Sequence, residues 1–223
     1  MIGPIIDYLP SEFSNLLLHP YVCMGIFIHL HPEWAQQIRM LRLGTADVVK
    51  FSDGSTVLES DDTVVLIYFH GGGYSLLNPI AYAPLCVKLV EEFNTIYPSR
   101  KLIVYSVDYP LATTSPYPAQ LNAAFSLYSH LTNHLYLDSK RIFIAGDSAG
   151  GHLSLSLALR IKESKLPEPK GLILVSPWLD INAKTQNKTP FDYINSHNLK
   201  KFTKAFLPPT FVDCTYFSFA PNA

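Results

Sequence analysis

Charge is scarce in this 223-residue chain, at 16% of residues, and evenly divided between 17 Lys and Arg and 18 Asp and Glu. Soluble domains usually carry about a quarter. With no basic stripe, the electrostatic footprint of a nucleic-acid-binding protein is missing. No Lys or Arg cluster marks an anionic membrane surface either. Cysteine is equally thin. Cys23, Cys86 and Cys214 are odd in number and widely spaced, which excludes a readable disulfide framework or CxxC zinc site. They are expected as reduced thiols packed like small apolar groups. Residues 1–10 lack a basic n-region, so a cleaved signal peptide is not expected, and the location expected is cytoplasmic or endoplasmic-reticulum-associated. The apolar stretch 16–30 is broken by His19, Pro20 and His29 and is shorter than the ~20 residues of a membrane span. It reads as packed helix or amphipathic lid, with weak membrane association as its furthest reach. His130 and His134 share a helical face, but Leu131 stands where an H-E-x-x-H zinc site has glutamate. His29-x-His31 is no better a site. Neither a metal nor an organic cofactor is expected. The sequon at Asn187 is followed by Pro190 and carries little weight.

What the chain does have is apolar residues, 48% of the total, enough to bury a core in a single domain. Residues 46–59, around Asp53-Gly54, read as a hairpin with Val48 and Val49 on one arm and Thr56 to Leu58 on the other. Residues 63–69 form a continuous apolar run, as in strands buried on both faces. Helical spacing follows at Ala81, Leu85, Leu89 and Phe93. Then come a strand over 102–107, a helix over 118–134, a strand over 141–145, a helix over 148–163 and a strand over 171–175. This alternation predicts an α/β fold, a doubly wound and mostly parallel sheet with helices on both faces. Residues 1–45 read as a separate helical or lid segment and 46–223 as the core.

The sharpest motif is Gly146-Asp147-Ser148-Ala149-Gly150, which fits G-x-S-x-G between a predicted strand and a predicted helix. That turn lifts a serine oxygen clear of the sheet, and the helix start favours negative charge developing there. The second motif is His70-Gly71-Gly72-Gly73-Tyr74, directly after the apolar strand. Such a loop offers bare amides for an oxyanion hole, joined by the amide of the residue after the nucleophile, here Ala149. His70 is expected to brace the glycine loop, because this fold places its base after the serine. Gly71 and Asp147 are expected to support the site. His152, one helical turn after Ser148, is read as packed beneath the elbow.

HGGGY and GDSAGG, with Val107-Asp108-Tyr109 and Ser176-Pro177-Trp178, resemble the hormone-sensitive-lipase group of α/β-hydrolase esterases over about residues 63–182. Within it, Tyr117-Pro118-Ala119-Gln120-Leu121 is similar to the fungal steryl acetyl hydrolase branch. The resemblance implies Ser148 as nucleophile and Gly72, Gly73 and Ala149 as the oxyanion hole. The group's D-Y-R-L-A-P-E segment differs here, with Pro110 for the arginine and the Thr113-Thr114 stretch near the glutamate.

The family's acid follows the seventh strand and its histidine the eighth. Six strands are countable here, so the resemblance implies a fold lacking the last two strands, with acid and histidine outside the chain. Asp180, Asp192, Asp213 and His197 are read as polar-loop residues. The function expected is a carboxylic ester hydrolase for small or apolar esters, weak or inactive in this form. The alternative is a non-catalytic binder of a small ligand, as in the plant gibberellin receptor that resembles the same group. The partner implied is a small-molecule ester; Phe202, Phe206, Phe211, Tyr216 and Phe217 suggest apolar surroundings for it.

Overall fold

A computed structural model describes residues 28–181 and 196–207. Six strands form one sheet in the order β1-β2-β4-β3-β5-β6. The strands are β1 (Ile38–Leu43), β2 (Ala46–Phe51), β3 (Thr63–Phe69), β4 (Lys101–Val107), β5 (Ile142–Asp147) and β6 (Gly171–Val175). The helices are α1 (Ala83–Ile96), α2 (Ala119–Ser129), α3 (Ala149–Glu163) and α4 (Ser196–Phe206). β4, β3, β5 and β6 run parallel, while β1 and β2 join antiparallel at one edge.

All seven residues of β3 are buried. Side chains alternate across a strand, so β3 feeds two cores. Val65, Ile67 and Phe69 meet Leu121, Leu127, Leu153 and Leu157 of α2 and α3. Val64, Leu66 and Tyr68 meet Ala83, Val87 and Val90 of α1. Helices on both faces are what four parallel strands with right-handed crossovers require. The free Cys86 is buried in the second of these cores. Cys23 and Cys214 lie outside the described residues.

Two expectations are corrected. The hairpin lies upstream of its predicted place. Its turn is at Gly44, where φ is +63°, and β1 pairs Ile38 with Phe51 through Leu43 with Ala46. Asp53-Gly54 is a turn of another kind. The Asp53 carboxylate accepts from Ser55 and Thr56 and pairs with Lys101 at 3.0 Å, so 56–58 leaves the sheet. A boundary at residue 45 therefore cuts the hairpin between its strands. Of the expected lid, residues 1–27 lie outside the described residues. The helix predicted over 118–134 is also not uniform. It is α-helical to Ser129, then widens over His130–His134, where the Leu135 amide reaches back to His130 O at 3.0 Å. Among the described residues no helix is long and apolar enough to cross a membrane.

β6 closes the other side of the sheet, and among the described residues no strand pairs its outer edge. Leu172, Ile173 and Val175 are 36%, 50% and 52% exposed. An apolar open edge is a template for pairing with other chains. A charge placed there should block that pairing. Ile173→Lys is expected to raise the soluble fraction of the expressed chain while shifting folding stability by no more than about 0.5 kcal/mol, the usual range for surface changes. Centrifugation and urea unfolding check this; an unaltered soluble fraction contradicts it.

Candidate active site

β3 and β5 are parallel neighbours, with Phe69 opposite Gly146. Their carboxyl ends therefore deliver the HGGG loop and the GDSAG turn to the same place. In open α/β sheets that is the position where ligands bind. Ser148 sits between β5 and α3 at φ +51°, ψ −117°. A side-chain-bearing residue reaches positive φ only when its surroundings hold it there. The hold is visible: Ser148 N donates to Val175 O of β6 at 3.0 Å, and Ser148 O accepts from Trp178 N at 2.8 Å. Gly150 lies so close to the end of β3 that an added Cβ would be 2.0 Å from Phe69 O and 2.6 Å from His70 O. Only glycine permits that approach.

The glycine loop turns through Gly72 at φ +107° and Gly73 at φ +59°. Gly72 O accepts from Ser75 N and Leu76 N, both at 3.0 Å, which closes the turn. The Gly72 and Gly73 amides donate to no acceptor among the described residues. Ala149 opens α3, so its amide is one of those a helix leaves unpaired at its start. The structure thus brings together Ser148, Gly72, Gly73 and Ala149, the residues expected from sequence. Above the loop lies α4. Its Phe202 ring packs where a Gly73 Cβ would be, 2.6 Å from that point. Phe206 stacks on Tyr74 at 4.1 Å, and its carbonyl accepts from Tyr117 N at 2.9 Å. Phe211, Tyr216 and Phe217 lie outside the described residues.

His70 is fully buried, with Nδ1 2.7 Å from Gly71 O. A carbonyl only accepts, so Nδ1 carries the proton and Nε2 is left as an acceptor. Nε2 has no partner among the described residues. Tyr109 stacks on the ring at 4.2 Å and donates to His70 O at 2.7 Å. Gln120 donates to Pro110 O and Ser115 O at 2.7 Å each. Sequence reasoning missed Gln120. His152 is buried beneath the elbow, with Nδ1 2.7 Å from the Tyr74 hydroxyl. Among the described residues no histidine hydrogen-bonds Ser148 Oγ. Asp192 and Asp213 lie outside the described residues, as does the His197 side chain, while Asp180 O accepts from Trp178 Nε1 at 2.9 Å. His130 and His134 stack on each other at 5.4 Å, and no group of metal ligands is present among the described residues.

This chain matches the alpha/beta hydrolase fold family over residues 66–221 and belongs to it. It is 33% identical over 129 residues to an esterase of Acinetobacter venetianus, covering 58% of this chain and 40% of that one. It is 31% identical over 161 residues to the gibberellin receptor GID1A of Arabidopsis thaliana, covering 68% of this chain and 44% of the receptor. Among solved structures, an HSL-homolog from a metagenome library, EstE7, superposes with a TM-score of 0.64 at 26% identity over 82% of this chain and 61% of that one. The chain thus falls in the hormone-sensitive-lipase group of α/β-hydrolases. It spans under half the length of the two curated relatives.

Two groups, the buried His70 and the partly buried Asp108, titrate in opposite senses. Burial pushes His70 from its usual 6.5 down to about 4. Burial, helped by the Asp47 carboxylate, pushes Asp108 from 3.8 up to about 6. Between pH 6.5 and 4 the unfolded chain binds the His70 proton and the folded one does not, so this group lowers stability as pH falls. Asp108 is protonated in the folded chain first, so over nearly the same range it raises stability as pH falls. Each contribution is about 3 kcal/mol by linkage, and they largely offset. Wild-type stability should therefore vary little from these groups between pH 4 and 6. Asp108→Asn should expose the histidine, losing about 3 kcal/mol between pH 6.5 and 4. Urea unfolding of both chains across that range checks this; a flat profile in Asp108→Asn contradicts it.

Proposed function

We propose that the chain is a carboxylic ester hydrolase for small or apolar esters, with Ser148 as nucleophile. The observation that carries this is the pairing of a serine at φ +51° with three amides, at Gly72, Gly73 and Ala149, that no described group occupies. Ser148 Oγ adds to the ester carbonyl, whose oxygen takes the negative charge in front of those amides. Collapse expels the alcohol and leaves an acyl-serine, which water hydrolyses to the acid. The aromatic residues Tyr74, Tyr117, Phe202 and Phe206 around the loop favour an uncharged ester over a charged one. Esterases among the relatives support the same reaction class.

The serine proton needs an acceptor; among the described residues no histidine reaches Ser148 Oγ, and His152 Nδ1 is engaged by Tyr74, so the proton passes through water to the leaving alcohol. Turnover in this chain is therefore weak, at the ~10³–10⁴ over water that an oxyanion hole and binding supply without a base. The second reading, a binder of a small apolar ligand that does not turn it over, draws support from the lack of a histidine on Ser148 Oγ among the described residues and from the similarity to a gibberellin receptor.

Hydrolysis of p-nitrophenyl acetate by the chain and by Ser148→Ala tests the proposal. Slow turnover that Ser148→Ala leaves within about a few-fold is expected, because the oxyanion hole and binding supply it without the serine. Slow acetylation at Ser148, read by mass spectrometry and lost in Ser148→Ala, is expected as well; an acetyl group on other residues only, or on none, overturns the nucleophile. Turnover above ~10⁶ over water that depends on Ser148 overturns the weakness, since that rate requires a base.

A further inference from the structure

Asp147 precedes the elbow serine, yet its carboxylate points across the sheet end to the other motif. Oδ1 accepts from Gly71 N at 3.0 Å and from the Tyr68 hydroxyl at 3.0 Å. Oδ2 accepts from the Tyr82 hydroxyl at 2.8 Å. The Tyr82 oxygen also accepts from Gly71 N at 3.1 Å, so this amide is shared between carboxylate and phenol. A Cβ on Gly71 would lie 2.3 Å from Asp147 Oδ2 and 3.1 Å from the Tyr82 oxygen. Among the described residues no Lys or Arg pairs with Asp147. The carboxylate is held by two phenols and one amide in place of a cation.

We propose that Tyr68 and Tyr82 are positioning residues of the oxyanion loop, acting through Asp147 to set the direction of the Gly72 and Gly73 amides. This rests on the role given above to Ser148 and those amides. Two physical arguments carry it. The first is geometric. Gly71 is followed by two glycines at positive φ, which offer little resistance to rotation. Whatever fixes the Gly71 amide therefore fixes where the next two point. Losing the Tyr82 hydroxyl would free Oδ2 and remove one of the two acceptors of Gly71 N. The second is electrostatic. A carboxylate one residue from the nucleophile opposes the negative charge that develops on the ester oxygen. Hydrogen bonds from two phenols draw that charge away from the oxyanion site. Neither tyrosine lies in the glycine or serine motif. Tyr68 comes from β3 and Tyr82 from the 3₁₀ turn Pro79–Tyr82, which Asn78 caps at Ile80 N and Ala81 N.

The test uses the full chain with Tyr68→Phe, Tyr82→Phe and the double variant, and the remote, exposed Tyr136→Phe as control. Two readouts are needed: turnover of p-nitrophenyl acetate, and hydrogen exchange of the Gly71 amide by NMR. Each phenol lost should lower the kcat that the oxyanion hole supplies about 10-fold with KM within about twofold, since a misdirected donor weakens only the transition state. Gly71 exchange should rise at least about 10-fold while the amides of β3 stay protected. Where turnover exceeds the water rate, an unchanged kcat in Tyr82→Phe overturns the proposal, whatever the exchange shows. So does protection lost equally along β3, which would mark both tyrosines as general packing. If Ser148 is not acetylated and turnover stays at the water rate, the reading of the site falls, and Gly71 exchange alone decides the brace: a selective rise supports it, no change ends it.

Discussion

The first turn of α3 lies nearly in contact with the carbonyls that end β3, backbone against backbone, with no side chain between. Gly150 makes this contact with Phe69 O and His70 O, and Gly146 lies against Gly150 and Phe69 O in turn. Both motifs of the site depend on it. One leaves the sheet at Phe69 and the other at Asp147, and parallel pairing of β3 with β5 puts these exits side by side. The close approach then decides how far apart serine and glycine loop can be. Asp147 ties the two together by a side chain, Tyr109 and His70 hold the start of the glycine loop, and Gln120 ties Pro110 to Ser115.

The cost of this arrangement is borne locally. Ser148 holds an unfavourable backbone conformation, and a fully buried imidazole keeps one nitrogen without a described partner. Each such feature costs on the order of 1–3 kcal/mol. Strain of this size persists only where surrounding packing over-determines it, and here two cores on opposite faces of β3 supply that packing. Under the proposed reading the same geometry gives the site its chemistry. Amides without acceptors can stabilise an oxyanion better than water does, because they need no reorientation when charge appears.

The strands β3 to β6 were legible in the sequence because each is a short, nearly continuous apolar run between turn residues, the pattern of a parallel strand covered on both faces. The hairpin was less so. Asp53-Gly54 carries the stronger turn signal, while the true turn at Gly44 joins β1, whose side chains are largely exposed and barely alternate. The serine and glycine loop were legible because a tight turn and bare amides demand particular residues at fixed spacing. Tyr68 and Tyr82 were not. Their hydrogen bonds to Asp147 span 79 and 65 positions in sequence. Nothing local marks a tyrosine in a strand, or one ending a short turn, as a partner for a distant carboxylate. Gln120 was quoted only within a stretch of resemblance, and its bonds to Pro110 and Ser115 emerge only when the loop folds back.

Substitution of Gly150 by alanine, followed by urea unfolding, tests the central contact most directly, because two principles give opposite signs. In a helix, alanine is favoured over glycine by up to about 1 kcal/mol, so helix propensity alone would make Gly150→Ala more stable. The close approach to Phe69 O leaves no room for the added carbon, so the chain should lose at least about 2 kcal/mol or fail to fold, as overpacked cores do. A Gly150→Ala chain as stable as the wild type, or more so, would contradict the account.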